Sequence, residues 1–144
     1  IFKNKVILFG YAGIGSDDYI NLKLNPDAFF TMSHVAQSWA KKINPKIPIK
    51  VLPGGVDTQR FNPNVIPGKL PVKSPIVLTV AALSPYKRID LVIRAVAKLP
   101  HVSLVVAGNG ILRDDIEIIG RKLLQERFLR LDIGYNQLSS LYTA

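Results

Sequence analysis

The chain has 144 residues, of which 48% are hydrophobic, so it can form one ordinary domain or parts of two with a real core. It contains no cysteine, which excludes disulfides and thiolate metal sites and favours a cytoplasmic setting. No apolar run approaches the roughly 20 residues of a membrane span. The net charge of +9 is spread over both halves, and no zinc spacing, RNA-binding motif or heptad pattern accompanies it. We therefore expect no nucleic-acid partner. A solvated basic surface, an anionic ligand and peripheral contact with the anionic inner face of a membrane all stay open.

The first half of the chain predicts short strands and one helix. A strand over 5–9 is followed by Gly10, Gly13 and Gly15 in the spacing G-x-x-G-x-G, which differs from the dinucleotide order G-x-G-x-x-G. We interpret this stretch as a plain mobile loop that opens no helix. Strands are predicted over 28–32 and 49–52. Ser33 caps a helix over 34–43, with Val35, Trp39 and Ile43 on one face.

The stretch over 58–73 has the composition of a linker. It contains Pro63, Pro67, Gly68 and Pro71 and has little periodicity. We therefore divide the chain into a first part over 1–57, a linker over 58–73 and a second part over 74–144.

The second part alternates strands and helices. Strands are predicted over 76–81, 102–107 and 128–133, the first two as runs buried on both faces of a sheet. Ser84-Pro85 predicts the start of a helix that continues to Leu99, and further helices are predicted over 111–125 and from Leu138 onward. This alternation predicts an α/β fold with parallel sheets. Lys87 and Arg88 follow the first strand near a helix N-terminus, where a phosphate would bind.

Several motifs together resemble family-4 GT-B glycosyltransferases. They are VLPGGVDT over 51–58 with Arg60-Phe61 and Pro63, LSPYKRIDL over 83–91, LVVAGNG over 104–110, and the segment over 24–33. The resemblance covers the chain from about Leu24 to Ala144.

The resemblance implies parts of two Rossmann-like domains of the GT-B fold. The part over 1–57 would end the acceptor domain, 58–73 would be the crossover, and 74–144 would be the first half of the donor domain. Such enzymes transfer a sugar, here a hexose, from a nucleotide-diphosphate-sugar to a polysaccharide, lipid-linked or small-molecule acceptor. They do so with retention, usually without a metal, and we expect no cofactor.

The resemblance also assigns the residues of a donor site. Lys87 matches the lysine that binds the donor diphosphate, whereas Ala82 stands where an arginine is usual, so adjacent Arg88 is a second diphosphate candidate. The loops after the next two strands would contact the donor and its nucleotide through Gly108, Asn109, Gly110, Gly134 and Tyr135. Gly108 and Gly110 are equally typical of a tight strand-to-helix turn. Asn109 replaces the commoner aspartate and removes a negative charge there.

Other parts of the family's site are missing. Glu117 and Glu126 are nine residues apart, not eight, so the family's pair of donor-sugar glutamates is absent. His34 and His101 are expected to be capping or surface residues, and no catalytic residue is assigned. Because the chain begins with Ile1 and ends in an incomplete helix pattern, we expect an inactive fragment whose uncovered strands promote self-association. The alternatives are a non-catalytic nucleotide- or phosphate-binding module and a basic surface-binding adaptor.

Overall fold

The computed structural model describes residues 4–10 and 15–144. The chain divides into two compact units, and the boundary between them along the sequence lies between Val56 and Asp57. Each unit contains a three-stranded parallel sheet with helices between its strands. The predicted α/β class with parallel sheets is therefore confirmed. No helix in these two stretches is long and apolar enough to cross a membrane.

The first unit alternates three strands with two helices. Its elements are β1 (Ile7–Gly10), α1 (Ser16–Lys23), β2 (Ala28–Thr31), α2 (His34–Ile43) and β3 (Ile49–Val51). The strands lie in the order β1-β2-β3, and Phe29 of β2 is in register with Leu8 and Ile49. A small core forms around Leu22, Phe29, Ala40 and Ile49.

Helix α1 corrects the prediction that no helix follows the glycine-rich loop. Gly15 is its N-cap, and Asp17 and Asp18 in the first turn complement the positive end of the helix dipole. Only Asp18 and Leu22 are buried, so the helix has almost no apolar period to detect. Gly13 lies outside the described residues.

Helix α2 has the predicted bounds and the predicted cap. The Ser33 hydroxyl oxygen accepts a hydrogen bond from the Ala36 N–H at 3.2 Å. Two residues of the predicted apolar face, Trp39 and Ile43, pack against the core of the first unit, whereas Val35 is 72% exposed. The prediction omitted Ala36 and Ala40, which are buried. Alanine allows the helix to approach the sheet closely, and a pattern search for large apolar side chains overlooks it.

The second unit contains the remaining elements. They are β4 (Ile76–Val80), a 3-10 turn (Pro85–Lys87), α3 (Ile89–Ala97), β5 (Ser103–Ala107), α4 (Arg113–Leu124), a 3-10 turn (Gln125–Arg127), β6 (Phe128–Leu131), a 3-10 turn (Tyr135–Gln137) and α5 (Leu138–Tyr142). The strands lie in the order β4-β5-β6. The carboxyl ends of all three strands therefore meet at one edge of the sheet.

Strand β5 organises the second unit because it lies between the other two strands. All five of its residues are buried, as predicted. The prediction of full burial for the first strand is wrong, since every residue of β4 is only half-buried. As an end strand of the sheet, β4 lacks a neighbour on one side.

The segment between the two sheets belongs to the second unit. Leu70 and Val72 pack against the core cluster around Val105, Ala107 and Leu141. The Gly68 N–H donates to the Ser140 carbonyl at 2.7 Å. The segment thus covers one face of the second sheet and contributes to its core.

The end strand β1 leaves apolar side chains uncovered. Val6 and Ile7 are 51% and 61% exposed. Exposed apolar strands promote association, and self-association stays a prediction.

Replacing the α2 cap tests the local structure of the first unit. Ser33→Ala should lower the free energy of unfolding by about 1 kcal/mol, because the Ala36 N–H loses its acceptor. Denaturation followed by the fluorescence of Trp39, the single tryptophan, measures this. Ser38→Ala, an exposed change within the same helix, is the control and should not destabilise. Equal effects of the two changes would contradict the cap.

Candidate functional site

Three loops converge at the carboxyl edge of the second sheet. They follow β4, β5 and β6, and ligand sites of open α/β sheets lie at this edge. A shallow cavity of about 260 Å³ lies among them. Its walls are formed by Val80, Ala81, Ala82, Ala107, Gly108, Asn109, Ile133 and Leu138.

The loops after β4 and β5 are locked together through their backbones. The Leu83 N–H donates to the Asn109 carbonyl at 2.9 Å, and the Leu83 carbonyl accepts from the Leu112 N–H at 3.0 Å. The Leu83 side chain is fully buried. The main chain of each loop thus holds the other in place.

Gly108 and Gly110 make this contact possible. A Cβ atom on Gly108 would collide with the Ala81 carbonyl oxygen, and one on Gly110 would lie 2.5 Å from the Leu83 oxygen. Both residues also have positive φ angles, of 155° and 156°. Loop packing is therefore sufficient to explain both glycines, in agreement with the turn interpretation.

These glycines can be tested by substitution. Gly108→Ala and Gly110→Ala should each destabilise the second unit by about 2 kcal/mol or more, because the added methyl group forces the loops apart. Hydrogen exchange of the amides in β4 and β5 measures the loss.

Gly134→Ala is the matched control. Gly134 has a φ of −74°, and no atom lies within 4 Å of a Cβ built there. This change should be close to neutral. A loss equal to that of Gly108→Ala would show that glycine is needed for another reason.

The predicted helix start at Ser84 is wrong. Ser84 makes no side-chain cap, and Pro85–Lys87 form a 3-10 turn instead. Arg88 then adopts a left-handed conformation with φ 49°, and α3 begins at Ile89. Because a left-handed residue interrupts the helical path, Lys87 lies on a turn before the helix.

The two predicted diphosphate ligands differ in availability. The Lys87 side chain is exposed and has no hydrogen-bond or ion-pair partner within 4–10 and 15–144. The Arg88 guanidinium donates from Nε and Nη2 to the two carboxylate oxygens of Asp90, both at 3.1 Å. This hydrogen bond raises the pKa of Arg88 and lowers the pKa of Asp90. Lys87 therefore presents an uncompensated charge, and Arg88 does not.

Removing the guanidinium tests this pair. In Arg88→Gln the pKa of Asp90 should rise toward the ordinary aspartate value, because the charged donor that favours the carboxylate is lost. The native pair contributes stability above the unfolded pKa of Asp90 and loses it as pH falls through the folded pKa. Carboxyl NMR titration measures the shift, and Lys87→Gln should leave the Asp90 pKa unchanged. If Arg88→Gln left the pKa of Asp90 unchanged, the ion pair between Arg88 and Asp90 would be excluded.

Asn109 links the loop after β5 to the end of β6. Its Nδ2 donates to Asp132 Oδ2 at 2.6 Å, and its Oδ1 accepts from the Gly110 N–H at 2.8 Å. Sequence reasoning omitted Asp132, although its position directly after β6 is a usable signal. Asn109 was expected to remove a negative charge from this loop, but the Asp132 carboxylate lies beside it.

The loop after β6 is covered by residues from the segment that precedes β4. Tyr135 is contacted by the Arg60 guanidinium at 4.8 Å from its ring centre and by the Phe61 ring at 5.7 Å. Arg60 also donates to Asn136 Oδ1 at 2.9 Å. Gly134 donates its N–H to Gln137 Oε1 at 3.1 Å. Arg60 is a basic residue at this loop that sequence reasoning missed.

The other residues weighed in the sequence lie elsewhere. Ala82 lines the cavity and supplies no cation there. His34 begins α2, and His101 precedes β5 at the opposite edge of the sheet; both are exposed. Glu117 pairs with Arg121 at 2.6 Å and with Arg130 at 3.0 Å, so it stabilises the packing of α4 on β6. Among the described residues, no group of three or more His, Asp or Glu side chains could hold a metal ion.

Comparison with known proteins identifies the family. A sequence model described as "Glycosyl transferases group 1" matches residues 64–142, which is more than half of the chain. The chain belongs to the group 1 glycosyl transferases. No curated protein sequence matches this group 1 chain significantly.

Solved structures show the same fold. TarM is 20% identical over 88% of this chain and 26% of its own, with a TM-score of 0.63. A variant of S. aureus TarM in complex with fondaparinux, alpha-GlcNAc-glycerol and UDP is 19% identical over 88% and 26%, with a TM-score of 0.65. The GtfA/B complex is 19% identical over 82% and 25%, with a TM-score of 0.53. The predicted Rossmann-like GT-B architecture is thereby confirmed, and this group 1 chain spans about a quarter of the length of these structures.

Proposed function

We propose that this chain is part of a retaining family-4 glycosyltransferase that transfers a hexose from a nucleotide-diphosphate-sugar to a polysaccharide, lipid-linked or small-molecule acceptor. The observation that carries the proposal is that Lys87, at the carboxyl edge of the second sheet in a chain of the group 1 family, has no partner in the part of the chain that the structure describes. The proposed site needs neither a metal nor a cofactor and works in the cytoplasm.

The electrostatics of the reaction support this role for Lys87. Breaking the glycosyl bond leaves negative charge on the departing nucleoside diphosphate, and a fixed cation stabilises that charge. Ala82 provides none, and Arg88 is bound to Asp90. In our proposal Lys87 carries the diphosphate contact, and Arg88 contributes only when its ion pair opens.

The loops after β5 and β6 would hold the rest of the donor. Gly108, Asn109 and Gly110 offer a backbone without bulky side chains beside the cavity. The Asp132 carboxylate next to Asn109 is suited to accept hydrogen bonds from ribose or sugar hydroxyls and unsuited to a phosphate. Gly134 and Tyr135 are proposed to lie against the nucleotide base, because the Tyr135 ring is 57% exposed.

A nucleotide titration tests the proposal. UDP, which is present in the TarM complex, should bind the 144-residue chain weakly and shift NMR signals of the loops after β4 and β5. Lys87→Ala should weaken binding about fivefold, as expected for loss of one exposed charge-assisted contact worth about 1 kcal/mol.

The matched control is Lys98→Ala at the end of α3, which removes the same charge away from the carboxyl edge. Its affinity for UDP should equal that of the unaltered chain. Equal losses of UDP affinity in the two variants would show that only the net charge of the chain matters, and not a contact made by Lys87. Tight binding by the chain alone would contradict the proposal that it holds only part of the donor site.

A further inference from the structure

A second cavity lies at the opposite edge of the same sheet. It has a volume of about 680 Å³ and is formed by residues that precede β4, β5 and β6. Cavities of this size accommodate small organic ligands. This cavity lies at the amino ends of the strands, whereas the proposed donor site lies at their carboxyl ends. An inference about this cavity therefore does not depend on the proposed function.

The cavity contains a guanidinium that is already fixed in position. Arg127 Nη1 donates to the Leu99 carbonyl at 2.9 Å and to the Val102 carbonyl at 2.6 Å. Its Nε and Nη2 have no partner in the described part of the chain. A planar guanidinium held this way loses little entropy when its remaining donors bind an oxyanion.

Other chemically active groups line the same cavity. Lys73 and His101 add basic side chains, and Glu126 adds a carboxylate. None of the three has a side-chain partner within the described ranges. Leu70 and Val72 supply an aliphatic wall. The cavity thus combines several basic groups, one carboxylate and an apolar surface.

We propose that this cavity binds a small phosphorylated sugar or polyol. Arg127, with Lys73 and His101, would bind the phosphate group. The Glu126 carboxylate accepts hydrogen bonds from ligand hydroxyls, because an ionised carboxylate is an acceptor only. The aliphatic wall covers the carbon skeleton of the ligand. Among the described residues that line the cavity, Glu126 is the single acid, so a bound phosphate would face mainly basic groups.

Titration of the full 144-residue chain tests the proposal. Glucose 6-phosphate should shift amide NMR signals around Ser74, His101 and Arg127, inorganic phosphate should bind more weakly, and glucose should not bind. The shifts should persist in saturating UDP. Displacement by UDP, or equal affinity for the ester and inorganic phosphate, would overturn the proposal.

Variants separate the proposed contacts. Arg127→Gln should weaken glucose 6-phosphate binding about tenfold, as expected for loss of a bidentate charged contact. Because Arg127 also binds two carbonyl groups, the double change Lys73→Ala with His101→Ala provides a second test without those bonds. It should produce a loss of similar size. Lys98→Ala lies outside the cavity and should have no effect.

Glu126→Gln gives the sharpest discrimination. It should weaken glucose 6-phosphate about threefold, because a charged acceptor for the hydroxyls is lost. Binding of inorganic phosphate should stay the same or become tighter, since a nearby negative charge is removed. Parallel changes for both probes would show that Glu126 does not contact the hydroxyls and would overturn the assignment of a sugar or polyol ligand.

Discussion

Main-chain hydrogen bonds at Leu83 connect the loops that follow β4 and β5. Leu83 is completely buried, and it donates to Asn109 and accepts from Leu112. The two chains approach closely because Gly108 and Gly110 carry no Cβ atom. Two groups of the candidate site lie next to this contact along the chain: Lys87 follows Leu83 by four residues, and Asn109 is part of the contact. The rigid backbone therefore sets where the site's few polar side chains can act.

Several of the chain's arginines are held in ion pairs. Arg60, Arg88, Arg121 and Arg130 each have a carboxylate within 4 Å. These pairs stabilise turns and helix packing, and exposed pairs of this kind contribute little free energy. At the carboxyl edge, Lys87 has no carboxylate partner among the described residues.

The segment before the second sheet has a structural role that its composition hides. Proline and glycine predict a linker, and no helix or strand lies between Asp57 and Pro75. Leu70 and Val72 nevertheless cover the sheet, and Arg60 and Phe61 contact Tyr135. This segment thereby supports the loop after β6, so the proposed base contact at Tyr135 depends on residues some 75 positions earlier in the chain.

The sequence by itself determined the strands, the parallel α/β class and the family resemblance. β5 and α2 produce strong local patterns, since a continuous apolar run and a capped helix are properties of neighbouring residues. The sequence also singled out Lys87 as a diphosphate ligand, which stays a prediction. Only the tertiary structure decided that Arg88 is bound to Asp90, that Asp132 lies beside Asn109 and that α1 forms after a weak pattern. It also showed that β4 is half-exposed. Those features depend on which distant groups meet and on which strand lacks a neighbour, and residue spacing carries no information about either.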